Sequence, residues 1–136
     1  MILDKFRLDD QVAVVTGGTK GLGRAIASAL AQAGADIAVV SRSSDPGLEE
    51  QIKGLGRKYH HHSADLTRRD QTREVVPAVV ERMGAIDILV NNAGIIRRAP
   101  AKEYSEDDWD ATLEIDLNAA FILSQAAGRR MLVKKK

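Results

Sequence analysis

The sequence contains no cysteine, which excludes disulfide bonds and metal sites built from thiolates. Aromatic residues make up 4% of the chain, and no apolar run approaches the length that a membrane-spanning helix needs. An excess of charge of one sign is also missing, because 20 basic residues accompany 19 acidic ones for a net charge of +1. This balance gives no general reason to expect a nucleic acid or an anionic membrane as a partner.

The composition that remains is that of an ordinary globular domain. The chain has 136 residues, of which 44% are hydrophobic and 29% charged, enough for one domain with a core but hardly for two. The opening stretch MILDKFRLDDQ lacks the apolar centre of a secretory signal peptide. We therefore expect a single domain over residues 1–136, soluble and cytoplasmic.

Short apolar segments alternate with helical patterns along the chain. Clusters of β-branched and apolar residues predict strands at residues 12–17, 36–41, 59–64 and 86–94. Helical spacing predicts helices at residues 23–33, from the turn at 45–47 to about Leu55, around the stripe at 76–83, and from Ser105 onward. The resulting β-α-β-α-β-α-β-α order predicts an α/β fold, a doubly wound parallel sheet with helices on both faces.

The third and fourth helices carry more detailed signals. Thr67 and Asp70 resemble a capping box, and Pro77 is expected to kink the third helix or delay its start. In the fourth helix an apolar stripe that includes Trp109, Leu117 and Phe121 predicts one long amphipathic element.

The stretch TGGTKGLG, residues 16–23, lies between the first strand and the first helix. In such sheets ligands bind at the carboxyl ends of the strands. Gly17 would allow the turn, Gly21 would bring backbone close to a phosphate, and Gly23 would let the helix pack closely. The helix N-terminus then directs free N–H groups and a positive dipole end at an anion, although a tight turn without a ligand is the alternative.

Four motifs in this order resemble the N-terminal part of the classical short-chain dehydrogenase/reductase family. They are T-G-x-x-x-G-x-G from Thr16, ADL at 64–66, NNAG at 91–94 and IDLN at 115–118. The resemblance implies a Rossmann-type fold, here truncated after the fourth β-α unit. It also implies hydride transfer between a nicotinamide and a secondary alcohol or ketone, and a homo-oligomer, commonly a tetramer.

The resemblance assigns roles to residues at the matching positions. Asp65 would contact the adenine, and Asn118 would belong to the catalytic relay. The positions implied to bind the cofactor are Gly17, Thr19, Lys20, Gly21, Leu22, Gly23, Ser41, Arg42, Asp65, Leu66, Asn91, Ala93 and Gly94. From the residues alone, Asp65 as a loop cap, Asn91 as a hydrogen-bonded residue at a strand end and Asn118 as a surface amide stay open.

The end of the second strand bears on which dinucleotide is bound. An acidic residue there accepts from the ribose 2′-OH, whereas a basic group accommodates a 2′-phosphate. The sequence has Ser41 followed by Arg42, and Lys20 adds a cation in the glycine loop. These residues favour NADP(H). The alternative is NAD(H) bound through the hydroxyl groups of Ser41 or Ser43, with Arg42 a solvated loop cation.

The catalytic pair that the resemblance calls for is missing. The family uses a Tyr and a Lys four residues later, with a Ser, after a fifth strand. Position 63, four after Tyr59, is Ser, and position 108, four after Tyr104, is Asp. The resemblance therefore implies that this chain holds the cofactor-binding part and is inactive alone. With its sheet edge and the stripe of the fourth helix uncovered, the chain should be marginally stable, aggregate or depend on a partner.

Two further features concern the substrate and metals. The stretches NNAGIIRR and YSEDDWD are closer to the branch that acts on 2-deoxy-gluconate or 2-dehydro-3-deoxy-gluconate. In that branch Arg97 and Arg98 would meet a substrate carboxylate, with exposed loop cations as the alternative. For the run His60–His62 a solvated or strand-packed histidine cluster is favoured over a metal site, because alternate side chains on a strand face opposite sides. No metal site is expected.

Overall fold

The computed structural model describes residues 1–134. The strands are β1 (Val12–Thr16), β2 (Asp36–Ser41), β3 (Tyr59–Ser63) and β4 (Ile88–Val90). The helices are α1 (Gly21–Gln32), α2 (Pro46–Gly54), α3 (Arg69–Met83), α4 (Glu106–Leu113) and α5 (Ala120–Lys134). Short 3₁₀ turns lie at Ile2–Phe6 and Ala101–Glu103, and a π-helical turn at Glu114–Ala119 joins α4 to α5.

The four strands form one parallel sheet in the order β3-β2-β1-β4. Val14 of β1 lies opposite Ala38 of β2 and Leu89 of β4, which fixes the register at the centre of the sheet. Every residue of β1 is buried, as expected for a strand that has neighbours and helices on all sides. The predicted doubly wound α/β fold is confirmed.

Alternate residues of the central strands enter two separate cores. Val14 and Val40 point to the face covered by α3 and α5, where Val79 and Leu123 are fully buried. Residues one position along each strand face the other way and pack against α1 and α2; they are Ala13, Val15, Ile37 and Val39, with Ala27, Ala31, Leu48 and Ile52 from the helices. The burial of both faces holds the carboxyl ends of the strands at one edge of the sheet.

The start of α3 differs from the prediction. Its N-cap is Arg68, without a side-chain cap, because the Thr67 hydroxyl donates instead to Asp65 Oδ1. The capping-box prediction is therefore wrong. Pro77 does not delay the helix, which runs unbroken from Arg69 to Met83. The side chain of Pro77 is exposed, so that water can solvate the carbonyl group that its missing N–H would otherwise bond.

The last helical region is divided by the π-helical turn. Ser105 caps α4 as predicted, since its side chain accepts from the Asp108 N–H at 3.1 Å. The extra residue of a π turn rotates the next helix by about 100° around its axis. The buried positions from the π turn onward are Ala119, Leu123 and Ala127. The stripe that the sequence analysis expected to be uncovered is exposed, with Trp109, Leu117 and Phe121 at 59%, 60% and 64%.

The fourth strand, predicted within residues 86–94 and expected to run into a loop, spans Ile88–Val90. Only Ile88, Leu89 and Val90 pair with β1, and within residues 1–134 no strand pairs with the other edge of β4. Beyond Val90 the chain leaves the sheet, because backbone groups of the next residues bind a β1 side chain instead of the ladder.

Candidate cofactor-binding site

Thr16 and Asn92 tie the carboxyl ends of β1 and β4 together. Thr16 Oγ1 donates to the Val90 carbonyl at 3.3 Å and accepts from the backbone N–H groups of Asn92 and Ala93, at 3.1 and 2.9 Å. In return Asn92 Nδ2 donates to the carbonyl oxygens of Thr16 and Gly17, at 3.1 and 3.2 Å. The loop after β4 is thereby held against the glycine loop.

The glycine loop turns sharply between β1 and α1. Gly17 has φ +64°, in the left-handed region that favours glycine. A Cβ at Gly23 would overlap the Gly17 carbonyl oxygen and the Asn92 amide. The start of α1 therefore lies closer to the turn than a residue with a side chain would allow. The N-cap of α1 is Lys20, and no side chain caps the first turn. Its N–H groups and positive dipole end therefore suit an anion.

A cavity of about 460 Å³ lies along the carboxyl ends of the strands, beside this loop. Its volume falls in the usual range for small-molecule sites, roughly 300–1,000 Å³. The predicted cofactor residues that line it are Gly17, Thr19, Lys20, Ser41, Arg42, Asp65, Leu66, Ala93 and Gly94. One cavity thus brings together residues from separate loops of the sequence.

Asp65 is held in place on the cavity wall by its own loop. Its Oδ1 accepts from the hydroxyl and from the backbone N–H of Thr67, at 2.6 and 3.0 Å. The Thr67 hydroxyl holds the pKa of Asp65 below its ordinary value, and the positive charges of Arg42 and Arg68 act in the same direction. Asp65 is therefore an anionic acceptor at neutral pH.

The end of β2 presents positive charge to the same cavity. Ser41 Oγ lies 2.8 Å from His61 Nε2 and donates to the Ser43 carbonyl at 2.8 Å, so that its hydroxyl orders the strand end. Arg42 and Lys20 are both exposed, and neither forms a salt bridge within residues 1–134. These two cations are free to meet an anionic ligand in the cavity that they line.

The opposite end of the cavity is built by the loop after β4 and the π turn. Arg97 lines the cavity and forms a salt bridge with Asp108 of α4, at 3.1 Å. Asp116 of the π turn accepts from the Ile95 N–H at 3.2 Å and thus ties this loop to the last helices. Arg98, the other predicted substrate residue, is exposed and is not part of the lining.

Asn118 lies on the π turn and does not line the cavity. Its side-chain amide donates to Glu114 Oε2 at 2.6 Å, and Arg69 binds the same carboxylate with two nitrogens, at 2.8 and 2.9 Å. The Arg69 guanidinium, and after it the Asn118 amide, lower the pKa of Glu114 to about 2. A charged network therefore holds this segment against α3.

Four more predicted residues also lie outside the cavity lining: Gly21, Leu22, Gly23 and Asn91. Leu22 is 77% exposed on α1. Asn91 donates from Nδ2 to Ser124 Oγ of α5 at 2.9 Å, whereas its neighbour Asn92 lies at the glycine loop. Side chains alternate along a strand end, and NNAG offers both amides without showing which one faces the loop.

Sequence reasoning assigned no cofactor role to several residues that the structure brings to the cavity: Thr67, Asn92, Ile95 and Ile115. Thr67 had a signal, since a threonine two residues after an aspartate commonly donates back to the carboxylate in an Asx-type turn. Ile115 had none, because its approach to the cavity depends on the phase of the π turn.

The histidine run sits on the edge strand β3. The rings of His60 and His62 are 6.4 Å apart, and burial lowers the pKa of both. Within residues 1–134 no group of three or more histidine, cysteine or acidic side chains is placed to hold a metal ion. Over the same residues, no helix has the length and apolar character to span a membrane.

An open parallel sheet with a glycine turn leading into an uncapped helix, beside a cavity at the carboxyl ends of the strands, defines a Rossmann-type nucleotide-binding fold. The family model described as short chain dehydrogenase matches residues 11–136. The chain belongs to the short-chain dehydrogenase family.

Two relatives illustrate the similarity, and the first carries the name of the predicted branch. A 2-dehydro-3-deoxy-D-gluconate 5-dehydrogenase of Pseudoalteromonas atlantica is 42% identical, over 98% of this chain and 54% of the relative. A D-threitol dehydrogenase of Mycolicibacterium smegmatis is 44% identical, over 93% of this chain and 50% of the relative.

Solved structures share the fold. The crystal structure of a gluconate 5-dehydrogenase from Burkholderia cenocepacia J2315, in complex with NADP and tartrate, superposes with a TM-score of 0.87 at 38% identity. The match covers 98% of this chain and 53% of that structure. The chain thus spans about half the length of the relatives that it matches.

Proposed function

We propose that this chain binds a nicotinamide dinucleotide, with NADP(H) preferred over NAD(H). The observation that carries the proposal is the cavity with Lys20 and Arg42 on its wall, both without a salt bridge inside the described chain. A guanidinium suits a phosphate through paired N–H donors, and the strand end has no acidic side chain that would repel one. The NADP complex of the similar gluconate dehydrogenase agrees with this preference.

The residues present fit the rest of the dinucleotide. The N-terminus of α1 and the turn at Gly17 offer backbone N–H groups to a pyrophosphate, and an added Cβ at Gly23 would disturb that turn. Asp65 and Leu66 line the part of the wall that would receive the adenine. The bound dinucleotide would supply or accept a hydride. The chain's own residues bind and orient it.

We further propose that the complete enzyme acts on a secondary alcohol or ketone of a sugar acid such as 2-deoxy-gluconate. Arg97 supports this, because it places a guanidinium at the end of the cavity away from Arg42. Its partner Asp108 is partly exposed, so that a substrate carboxylate can compete for the guanidinium. Asn118 would act in the relay through the π turn, which Glu114 orders.

A second candidate function is that of a nucleotide-binding or interaction module without catalysis. The absence of a Y-x-x-x-K sequence from the 136 residues favours it for the chain as it stands. Equilibrium titration of the chain with NADPH and NADH, together with a turnover assay, separates the two. Saturable binding without turnover supports the proposal of a cofactor-binding part, and turnover would overturn the inferred lack of catalysis.

A single substitution tests the preference for NADP(H) over NAD(H). Arg42→Ala should weaken NADPH binding by about tenfold and leave NADH binding nearly unchanged, because one charge-assisted contact to the 2′-phosphate is lost. Arg130→Ala is the matched control, an exposed arginine on α5 that does not line the cavity. Equal losses for NADPH and NADH in Arg42→Ala would contradict a role at the 2′-phosphate, and no binding of either dinucleotide would remove the whole proposal.

We also propose that the chain associates with itself or with a partner. The edge of β4 that no strand covers within residues 1–134, and the exposed side chains of Trp109, Leu117 and Phe121, all lie in the second half of the sequence. Exposed strand edges and apolar helix faces favour association in water. Sedimentation and thermal unfolding test this, and a monodisperse monomer that melts cooperatively would contradict it.

A further inference from the structure

Within residues 1–134, one carboxylate oxygen of Asp65 accepts hydrogen bonds and the other does not. Its Oδ1 accepts two hydrogen bonds from Thr67, one from the hydroxyl at 2.6 Å and one from the N–H at 3.0 Å. Within residues 1–134 no hydrogen bond reaches Oδ2. The loop therefore presents a single charged acceptor on a cavity wall that it shares with Leu66 and Val40.

Among the described residues, the backbone N–H groups of the same loop are all hydrogen-bonded except one. The Asp65 N–H donates to Gln71 Oε1 at 2.8 Å, and the Asp65 carbonyl accepts from the Arg68 N–H at 3.0 Å. The Leu66 N–H, by contrast, has no acceptor within the described residues. Since Ser41, Gln71 and Asp65 accept from the other N–H groups, the Leu66 N–H is the backbone donor that the loop offers a ligand beside the Asp65 Oδ2 acceptor.

This pair of groups can distinguish purines by the substituent at C6. A 6-aminopurine presents an N–H donor at C6 and an acceptor at N1, which complement an acceptor and a donor. A 6-oxopurine presents an acceptor at C6 and an N–H donor at N1, so that both contacts become unfavourable. A buried donor or acceptor that loses its hydrogen-bond partner weakens binding by its full desolvation penalty, which exceeds the net gain from a typical hydrogen bond.

We propose that Thr67 and Gln71 are positioning residues that make the loop at 64–67 select a 6-aminopurine over a 6-oxopurine. Thr67 prevents rotation of the Asp65 carboxylate, which would otherwise exchange its two oxygens. The Gln71 side chain accepts from the Asp65 N–H, so that this donor is not available to a 6-oxo group. The inference rests on the proposed function, because it concerns the base of the dinucleotide in the same cavity.

The test compares NADPH with its reduced nicotinamide hypoxanthine analogue, which differs only at C6 and N1 of the purine. Binding to the 136-residue chain is followed by the fluorescence of the reduced nicotinamide. We expect NADPH to bind at least about tenfold more tightly than the analogue. Equal affinities would overturn the inference while leaving NADP(H) binding intact, whereas no binding of either would overturn the proposed function and the inference with it.

Variants assign the discrimination to the two positioning residues. Thr67→Val keeps the shape and the backbone contact but loses the hydroxyl, and should reduce the NADPH preference about fivefold. Thr67→Ser should restore it, and Gln71→Leu should reduce it as well. Thr112→Val is the control, because the Thr112 hydroxyl donates to the Asp108 carbonyl in α4 and the residue does not line the cavity. A Thr67→Val chain with the wild-type ratio would contradict the role of Thr67.

Discussion

Asn92 and Thr16 bind each other through both side chains. Asn92 Nδ2 donates to the Thr16 carbonyl at 3.1 Å, and Thr16 Oγ1 accepts from the Asn92 N–H at 3.1 Å. The pair joins the last residue of β1 to the loop after β4, where the sheet has only three paired residues. These side-chain hydrogen bonds therefore reinforce the short ladder between β1 and β4. They hold together the two strand ends that contribute to the cavity.

Asn92→Asp should destabilise the fold. The substitution removes the amide donor and places a carboxylate against the carbonyl oxygens of Thr16 and Gly17, at a cost of about 2–3 kcal/mol in the free energy of unfolding. Urea unfolding at pH 7 measures it. The control is Asn91→Asp, because Asn91 is exposed and, within residues 1–134, its amide donates to Ser124 Oγ alone. Similar losses at the two positions would contradict the assignment.

Gly23→Ala should destabilise the chain although alanine favours helices. A Cβ at this third residue of α1 would overlap the Gly17 carbonyl, which belongs to the turn of the glycine loop. We expect a loss of about 2 kcal/mol or more in the free energy of unfolding, together with weaker NADPH binding.

The control for this position lies in another helix. Gly128→Ala is in α5, where nothing lies within 4 Å of an added Cβ, and should stabilise by up to about 1 kcal/mol. Thermal unfolding of the two variants gives the comparison. A stabilising effect of Gly23→Ala would show that the helix start has room beside the turn.

The sheet could be predicted from sequence because a short local pattern of apolar residues indicates each strand. The run DIAVVS at 36–41 is apolar, β-branched and bounded by a glycine before it and polar residues after it, and the structure has β2 at those residues. The position of Arg42 followed from the same logic, since it directly follows β2, whose carboxyl end lies at the cavity, whereas Asp65 was assigned through the family resemblance of ADL.

The missed features depend on tertiary context. The π turn at Glu114–Ala119 was not predicted, because a pattern of period 3.6 does not reveal an inserted residue. The side chains of Asn91 and Asn92 face different ways, toward Ser124 and toward the glycine loop. Which of the two faces the glycine loop depends on the tertiary contact with Thr16. The Thr67 hydroxyl could accept from the N–H groups at the start of α3 or donate to the Asp65 carboxylate, and in the structure it donates to the charged carboxylate.

The Glu114 network should make stability depend on acid pH. The folded-state pKa of Glu114 is about 2, below the ordinary value of about 4.3, so the network stabilises the fold fully above that ordinary value. The stabilisation is lost as the pH falls toward 2. Glu114→Gln should lower the free energy of unfolding at pH 7 by about 1 kcal/mol, a modest amount because Arg69 is half exposed.

Urea unfolding of this variant at pH 7 and at pH 2.5 provides the measurement. The difference between wild type and Glu114→Gln should shrink at the lower pH. Glu49→Gln serves as the control, because Glu49 pairs with Lys53 one turn along α2 on an exposed face and should change stability by a few tenths of a kcal/mol. An equal difference at both pH values would rule out Glu114 as the titrating group.

Tyr59→Phe should leave stability unchanged or raise it by up to about 1 kcal/mol. The Tyr59 hydroxyl is buried without a hydrogen-bond partner among residues 1–134, and burial raises its pKa to about 12. Removing its oxygen removes an unsatisfied polar group and keeps the ring packed between β3 and α2. Tyr104→Phe is the control, since the Tyr104 hydroxyl lies 3.4 Å from Thr112 Oγ1 and its loss should not stabilise. A loss of 1 kcal/mol or more in the unfolding free energy of Tyr59→Phe, on the order of one hydrogen bond, would contradict the prediction.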